Sequence, residues 1–144
     1  MRTLSLSIKP LMLTSGALTC TMLYAAFFPE AALQSTFGES IRGPAAELVV
    51  RNWGVLIFLI GVLLIRGALD PSVRATALLA AGVSKAAFIA LVLAGGTRYL
   101  SQGAAVPVAV DGVMVVLFAA YLIAGRSRLG RRGHEAAGAG ILRA

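Results

Sequence analysis

The sequence has few charged residues, one cysteine and one histidine, and each shortage excludes a class of protein. Charged residues are 13% of the 144, about half the share usual in a soluble domain, while 58% are hydrophobic. A single cysteine excludes an internal disulfide, and one histidine (His134) is too few for a zinc site or a bis-histidine haem site within one chain. Glycine-rich phosphate loops and Ser/His/Asp sets are also missing from the sequence. These absences exclude a soluble enzyme, argue against a self-sufficient enzyme of any kind, and predict neither a metal nor a cofactor.

The sequence does contain four long apolar runs. A helix that crosses a membrane needs about 20 apolar residues, and the runs cover about residues 8–28, 45–69, 75–95 and 104–125. They predict an all-α fold: a polytopic membrane protein with a four-transmembrane-helix bundle in residues 1–125, followed by a basic, flexible cytoplasmic tail in residues 126–144. The first run is longer than the apolar part of a signal peptide, so we expect a retained span. The exact start of span two stays open, because its strictly apolar part is too short to cross the bilayer alone.

The connection between spans one and two, Pro29–Gly43, predicts a short interfacial helix. Leu33 and Phe37 would lie on the membrane while Glu30 and Gln34 face water. An ordinary packed loop is the alternative.

Positive charge predicts the orientation of the bundle. Nine Lys and Arg residues flank the spans on the side of the two termini, three lie on the opposite side, and Lys85 falls inside span three. By the positive-inside rule, both termini are cytoplasmic. The net charge of +7 forms no stripe interleaved with aromatic residues, so no nucleic-acid partner is expected. In the tail, four arginines anchor the topology or contact anionic lipid: Arg126, Arg128, Arg131 and Arg132.

Two ionisable residues lie well inside apolar runs, where an Asp or Lys costs about 2.5–3.5 kcal/mol. At about 1.5 Å per residue, Lys85 lies about 15 Å along span three from its cytoplasmic end and Asp111 about 21 Å along span four. A lysine side chain can bridge the difference, and spans one and two place polar residues near the same depth. The predicted polar layer contains Lys85, Asp111, Arg51, Asn52, Tyr24 and Thr21. The pair is either a site for a proton or ligand, or a device that fixes helix packing.

Small residues recur at intervals that let helices approach closely. They stand seven apart in span two and four apart in spans one and three: Gly54 and Gly61; Ala17, Thr21 and Ala25; Ala86, Ala90 and Ala94. The spacing leaves open whether these faces join helices of one chain or of several, as in a homo-oligomer or a larger membrane complex.

The layout resembles that of small bacterial membrane proteins of the DoxX-like kind. The resemblance rests on four short spans, the connection after span one, Arg51-Asn52-Trp53-Gly54 at the start of span two, and the pattern of Lys85 and Asp111-Gly112. It implies a multi-pass protein of the bacterial inner membrane. Some relatives are associated with membrane redox complexes that feed quinone, and the resemblance therefore implies a quinone-linked subunit as one function.

Two further hypotheses follow from the residues. The first is a non-enzymatic accessory or assembly subunit that acts through its transmembrane helices. The second is a small transporter or binder of a lipophilic or acidic solute, with Lys85 and Asp111 at its centre.

Overall fold

The structure is a computed structural model, which describes the backbone of residues 8–141 and the side chains of residues 8–125. Within those limits it is all-α. The elements are α1 (Ile8–Cys20), a 3-10 turn (Thr21–Leu23), α2 (Tyr24–Phe27), α3 (Pro29–Phe37), α4 (Pro44–Leu69), α5 (Arg74–Ala94), a π segment (Leu100–Ala104) and α6 (Ala105–Ile141). The side chains of the four tail arginines, Arg126, Arg128, Arg131 and Arg132, lie outside the described residues.

Within the described residues, four helical stretches are long and apolar enough to cross a membrane. Span one is Ile8–Phe27, span two Pro44–Leu69, span three Arg74–Ala94 and span four Leu100–Gly125. The predicted all-α bundle of four transmembrane helices is therefore confirmed. The open start of span two is now placed at Pro44, in the first turn of α4, where a proline costs no hydrogen bond.

Two details at the ends of span four differ from the predicted boundaries. The polar turn expected before residue 104 is a π segment that loses helical geometry at Gln102. At the other end, the helix does not stop at residue 125, because α6 continues through Ile141. The sequence permits this continuation, since Pro107 is the last proline and the tail contains five Arg and four Ala, which favour helix, beside four Gly, which do not.

The interfacial segment forms the short helix α3, which begins at Pro29 and is stopped by Gly38. Gly38 has a φ of 68°, a left-handed conformation that glycine adopts without strain. The π segment holds this helix in place: Gly103 lies so close to Ser35 that an added Cβ would come 1.9 Å from the Ser35 carbonyl oxygen. The bundle thus has two distinct ends, called here the α3 end and the Asp70 end after the turn between α4 and α5.

Side-chain packing is closest toward the Asp70 end. Met12, Leu64, Leu78 and Phe118, one from each span, are at most 1% exposed and belong to one apolar cluster. The cavities described below lie nearer the α3 end, so the bundle combines a packed half with a more open half.

The small-residue faces predicted from spacing differ in whether they are buried within the chain. Gly54 and Gly61 of span two pack within the chain against span one. Of the span-one ridge, only Ala25 is buried, and it lies against Gly54, whereas Ala17 and Thr21 are exposed. The buried residues there include Met12, Ser15, Gly16 and Thr19, spaced three, one and three apart along one helix face. The three alanines of span three, Ala86, Ala90 and Ala94, are exposed on the outside of the bundle.

Candidate binding site between the transmembrane helices

Spans three and four are joined by an ion pair within their apolar stretches. Lys85 Nζ donates a hydrogen bond to Asp111 Oδ1. The lysine side chain is 10% exposed and the aspartate side chain 18%. The other ion pairs in the described residues have at least one partner that is 45% exposed or more. The depth argument from the sequence therefore brought together the two residues that the structure pairs.

A cavity of about 200 Å³ lies directly beside this ion pair. Lys85 and Asp111 form part of its wall, and spans one, two and four supply an apolar lining. Leu18, Ile57 and Val106 are examples of the apolar residues that line it. The cavity is therefore an apolar space with one charged side, set between helices that are long enough to span a membrane.

Three threonines add polar groups to the same cavity. Thr19 and Thr21 come from span one and Thr36 from α3. Thr19 is 7% exposed, and Thr21 Oγ1 donates to the Leu18 carbonyl oxygen at 2.7 Å, an ordinary bond within the helix. Thr36 reaches the cavity because α3 folds back over the bundle and is held against Gly103. The interfacial helix thus supplies part of the wall.

Three members of the predicted polar layer do not line this cavity. Arg51 lies at the α3 end, where Nη2 contacts Glu47 Oε1 at 2.7 Å and Nη1 donates to the carbonyl oxygen of Ala26. Asn52 is exposed on the surface of the bundle. Tyr24 is 44% exposed and stacks on Phe28. Their positions along the spans predict similar depths, but depth does not determine the direction in which a side chain points around its helix. Thr21 does line the cavity.

Most residues that line the cavity were not predicted from the sequence, and they include two threonines and two aromatic residues: Thr19, Thr36, Trp53 and Phe88. A signal existed for Thr19, because it stands four residues after Ser15 and both lie on the buried face of α1. The sequence contains no comparable signal for Thr36, Trp53 and Phe88, because they come together only when α3 folds back over the bundle.

The Lys85–Asp111 pair can form hydrogen bonds with polar groups in the cavity. Lysine has three N–H donors and a carboxylate has two acceptor oxygens, so each partner of the pair can take a further hydrogen bond from the cavity side. In a medium of low dielectric such hydrogen bonds are stronger than in water. Among the described residues, no three His, Cys, Asp or Glu side chains gather in one place.

Comparisons of the chain with protein-family models, with curated proteins and with solved structures found no match. The functional argument therefore depends on the geometry of this chain.

Proposed function

We propose that the protein binds a small lipophilic solute with an acidic or hydrogen-bonding group, in the cavity beside Lys85 and Asp111, as a binder or small transporter. The observation that carries the proposal is that the ion pair borders open space. Charges within a membrane cost free energy, and a void beside them also forfeits packing contacts. A bound solute would offset both costs, whereas a pair that only fixed helix packing would gain nothing from the void.

The cavity limits the size and chemistry of the solute. Its volume of about 200 Å³ is below the about 300–1,000 Å³ of pockets for drug-sized ligands, so the solute is small or inserts only its polar end. A protonated acid group would accept a hydrogen bond from Lys85 through its carbonyl oxygen and donate one to Asp111 through its hydroxyl, so that no second negative charge enters the cavity; an alcohol hydroxyl could do the same. The apolar lining suits an alkyl or aromatic remainder.

Native mass spectrometry of protein released from membranes in mild detergent tests the proposal. We expect a bound small molecule in the wild type and its loss in the Lys85→Met/Asp111→Leu double variant, which leaves no unpaired charge behind. Arg51→Met is the matched control, because it removes an ion pair that does not line this cavity. A small molecule retained by the double variant would contradict the proposal.

Trp53 provides an independent measurement, because it is the only tryptophan in the chain and it borders the cavity. Hexanoic acid should change its fluorescence at a lower concentration than hexylamine does, and the double variant should abolish the difference. Equal responses to acid and amine would count against an acidic solute.

We further propose a location in the bacterial inner membrane with both termini in the cytoplasm, as the layout of the DoxX-like proteins implies. Support comes from the nine-to-three distribution of positive charge and from the even number of spans. Reporter fusions after Ala144 and within Gln34–Gly43 test the orientation. A C-terminus found outside would contradict it.

The accessory-subunit hypothesis remains the second proposal, and one observation favours it. Only 6% of the apolar window in span four is buried within the chain, compared with 22–28% in the other spans. A partner helix in a larger membrane complex or a homo-oligomer would cover such a surface, although lipid does so as well. Stoichiometric proteins that co-purify, with no small molecule bound, would place this function first.

A further inference from the structure

A second cavity, of about 400 Å³, opens at the α3 end and is distinct from the one beside the ion pair. Its lining is mainly aliphatic and aromatic, and includes Leu33 of α3, Val50 of α4 and Leu91 of α5. Trp53 and Phe88 stand between the two cavities and line both. Neither Lys85 nor Asp111 lines this second cavity. We call it the α3 groove.

Four aromatic rings form one side of the α3 groove and are grouped around Phe37. The ring centroid of Phe37 lies 6.0 Å from Trp53, 6.5 Å from Phe88 and 5.6 Å from Tyr99. Two of the four, Trp53 and Tyr99, are of the residue types that concentrate at the level of lipid headgroups in membrane proteins. The groove therefore lies where an acyl chain meets its headgroup.

The rim of the α3 groove carries one charge of each sign. Glu39 lines the groove, and Arg98 Nη2 lies 3.4 Å from Glu39 Oε1. The guanidinium of Arg98 also lies 4.6 Å from the ring centroid of Tyr99, another lining residue. Both side chains of the ion pair are at least half exposed, at 68% and 50%. An exposed pair of this kind contributes little stability, so a ligand can separate it at small cost.

We infer that the α3 groove binds a phospholipid with a zwitterionic headgroup from the leaflet on the α3 side. One acyl chain occupies the apolar groove, the lipid phosphate accepts hydrogen bonds from Arg98, and the lipid ammonium lies against Glu39. The ion pair between Arg98 and Glu39 is thereby replaced by two ion pairs with the lipid, one at each residue.

Charge complementarity selects this class of lipid over the alternatives. An anionic headgroup without an ammonium leaves Glu39 without a cation and brings a second negative charge close to it. A cationic amphiphile meets the same difficulty at Arg98. A zwitterion offers an opposite charge to both residues at once.

Fluorescence quenching by brominated lipid tests the inference directly, because the only tryptophan, Trp53, lines the groove. The full chain is reconstituted in phosphatidylglycerol vesicles that contain increasing fractions of dibromo-phosphatidylcholine, and in phosphatidylcholine vesicles that contain dibromo-phosphatidylglycerol. We expect a preference for the zwitterionic lipid of about threefold, the size that one exposed charge pair supports. Equal quenching by the two lipids at equal mole fraction, or stronger quenching by phosphatidylglycerol, would overturn the inference.

Variants at the rim and in the groove separate the two parts of the site. Glu39→Gln leaves Arg98 alone and should shift the preference toward phosphatidylglycerol. Arg98→Gln leaves Glu39 alone and should weaken quenching by both lipids while keeping the preference for the zwitterionic one. Leu91→Phe narrows the groove and should reduce quenching by both brominated lipids. Leu93→Phe is the matched control, being on the same helix, exposed and outside the groove. If brominated lipid quenches the Trp53 fluorescence of Leu91→Phe and Leu93→Phe equally, the lipid contact is general and no groove site exists.

None of these four residues lines the cavity beside Lys85. Loss of lipid preference would therefore leave binding of hexanoic acid unchanged, and the failure of either proposal can be recognised without the other.

Discussion

The interface between spans one and two and the interface between spans three and four are built in different ways. Spans one and two approach so closely that an added Cβ on Gly61 would lie 2.8 Å from the Gly16 carbonyl oxygen, and one on Gly54 2.9 Å from the Met22 carbonyl oxygen. Spans three and four also contain glycines, but a Cβ on Gly82 or Gly112 would meet nothing within 4 Å. There the Lys85–Asp111 ion pair connects the helices.

The difference shows two ways of holding helices together in lipid. Lipid chains are as apolar as the side chains, so burial of apolar surface does not drive association, and close van der Waals contact or polar pairing must do so. The glycine interface brings the backbones of the two helices into close contact. The ion-pair interface is looser and borders a cavity, which is why the candidate binding site lies there. We expect the first interface to respond to side-chain size and the second to charge.

The largest expected effect is at the ion pair. Lys85→Met or Asp111→Leu leaves one charge without its partner in a medium of low dielectric, and breaking a buried pair in this way costs about 3–5 kcal/mol. Removing both should cost less, because no unpaired charge remains. Thermal unfolding in detergent and folded yield in membranes measure the four members of the double-mutant cycle. Losses that simply add would show that the two residues do not stabilise each other.

The next effect is at the glycine interface. In Gly61→Ala the new methyl group would lie 2.6 Å from Cys20 Sγ and 2.8 Å from two backbone atoms of span one, so the helices must separate. Overpacking of this kind costs about 1–3 kcal/mol. Gly112→Ala is the control, because its methyl group meets open space and improves helix propensity. Equal unfolding temperatures for the two variants would remove the contrast between the interfaces.

A smaller effect is expected at the α3 end, where Arg51 adds a polar connection between spans one and two. Its guanidinium bonds the Ala26 carbonyl oxygen across the interface and Glu47 on its own helix. Because Arg51 is 42% exposed, Arg51→Met should cost only about 1 kcal/mol. The loss should be smaller in Arg51→Lys, which keeps a cationic donor group at this position. If Arg51→Met cost as much stability as Lys85→Met, Arg51 would belong to the buried polar layer.

Apolar run length and the rule of about 20 residues per span predict the four helices, and helix rise predicts that Lys85 and Asp111 can meet. These are properties of single helices, which is why the sequence carries them. Tyr24 and Asn52 fail as site residues because their direction depends on how each helix is rotated in the bundle. Thr36 was unrecognised because it reaches the cavity through the folding back of α3 against Gly103, a contact between distant parts of the chain.

The smallest effect is at the turn that begins at Asp70, which joins the two interfaces at the packed end. Hydrogen bonds from the Ser72 hydroxyl (2.7 Å) and the Ser72 backbone N–H (2.9 Å) lower the pKa of the Asp70 carboxyl, with a smaller contribution from Arg66. A lowered pKa means that the folded state favours the carboxylate. Its contribution to stability is therefore present above the ordinary aspartate pKa of about 3.9, and it is lost as the pH falls through the lower folded value.

Asp70→Asn should therefore unfold at a slightly lower temperature than the wild type at pH 6, with the gap closing as the pH is lowered below about 4. Ser72→Ala should produce the same pH-dependent gap, because it removes the hydroxyl that contributes most to the shift. Both variants should leave the Lys85–Asp111 double-mutant cycle unchanged, since the turn lies at the opposite end of the packed half. A gap that widened on acidification would mean that the turn favours the protonated carboxyl. If either variant altered the coupling energy of the Lys85–Asp111 pair, the turn and the ion pair would form one cooperative unit, and the contrast between a size-dependent and a charge-dependent interface would have to be given up.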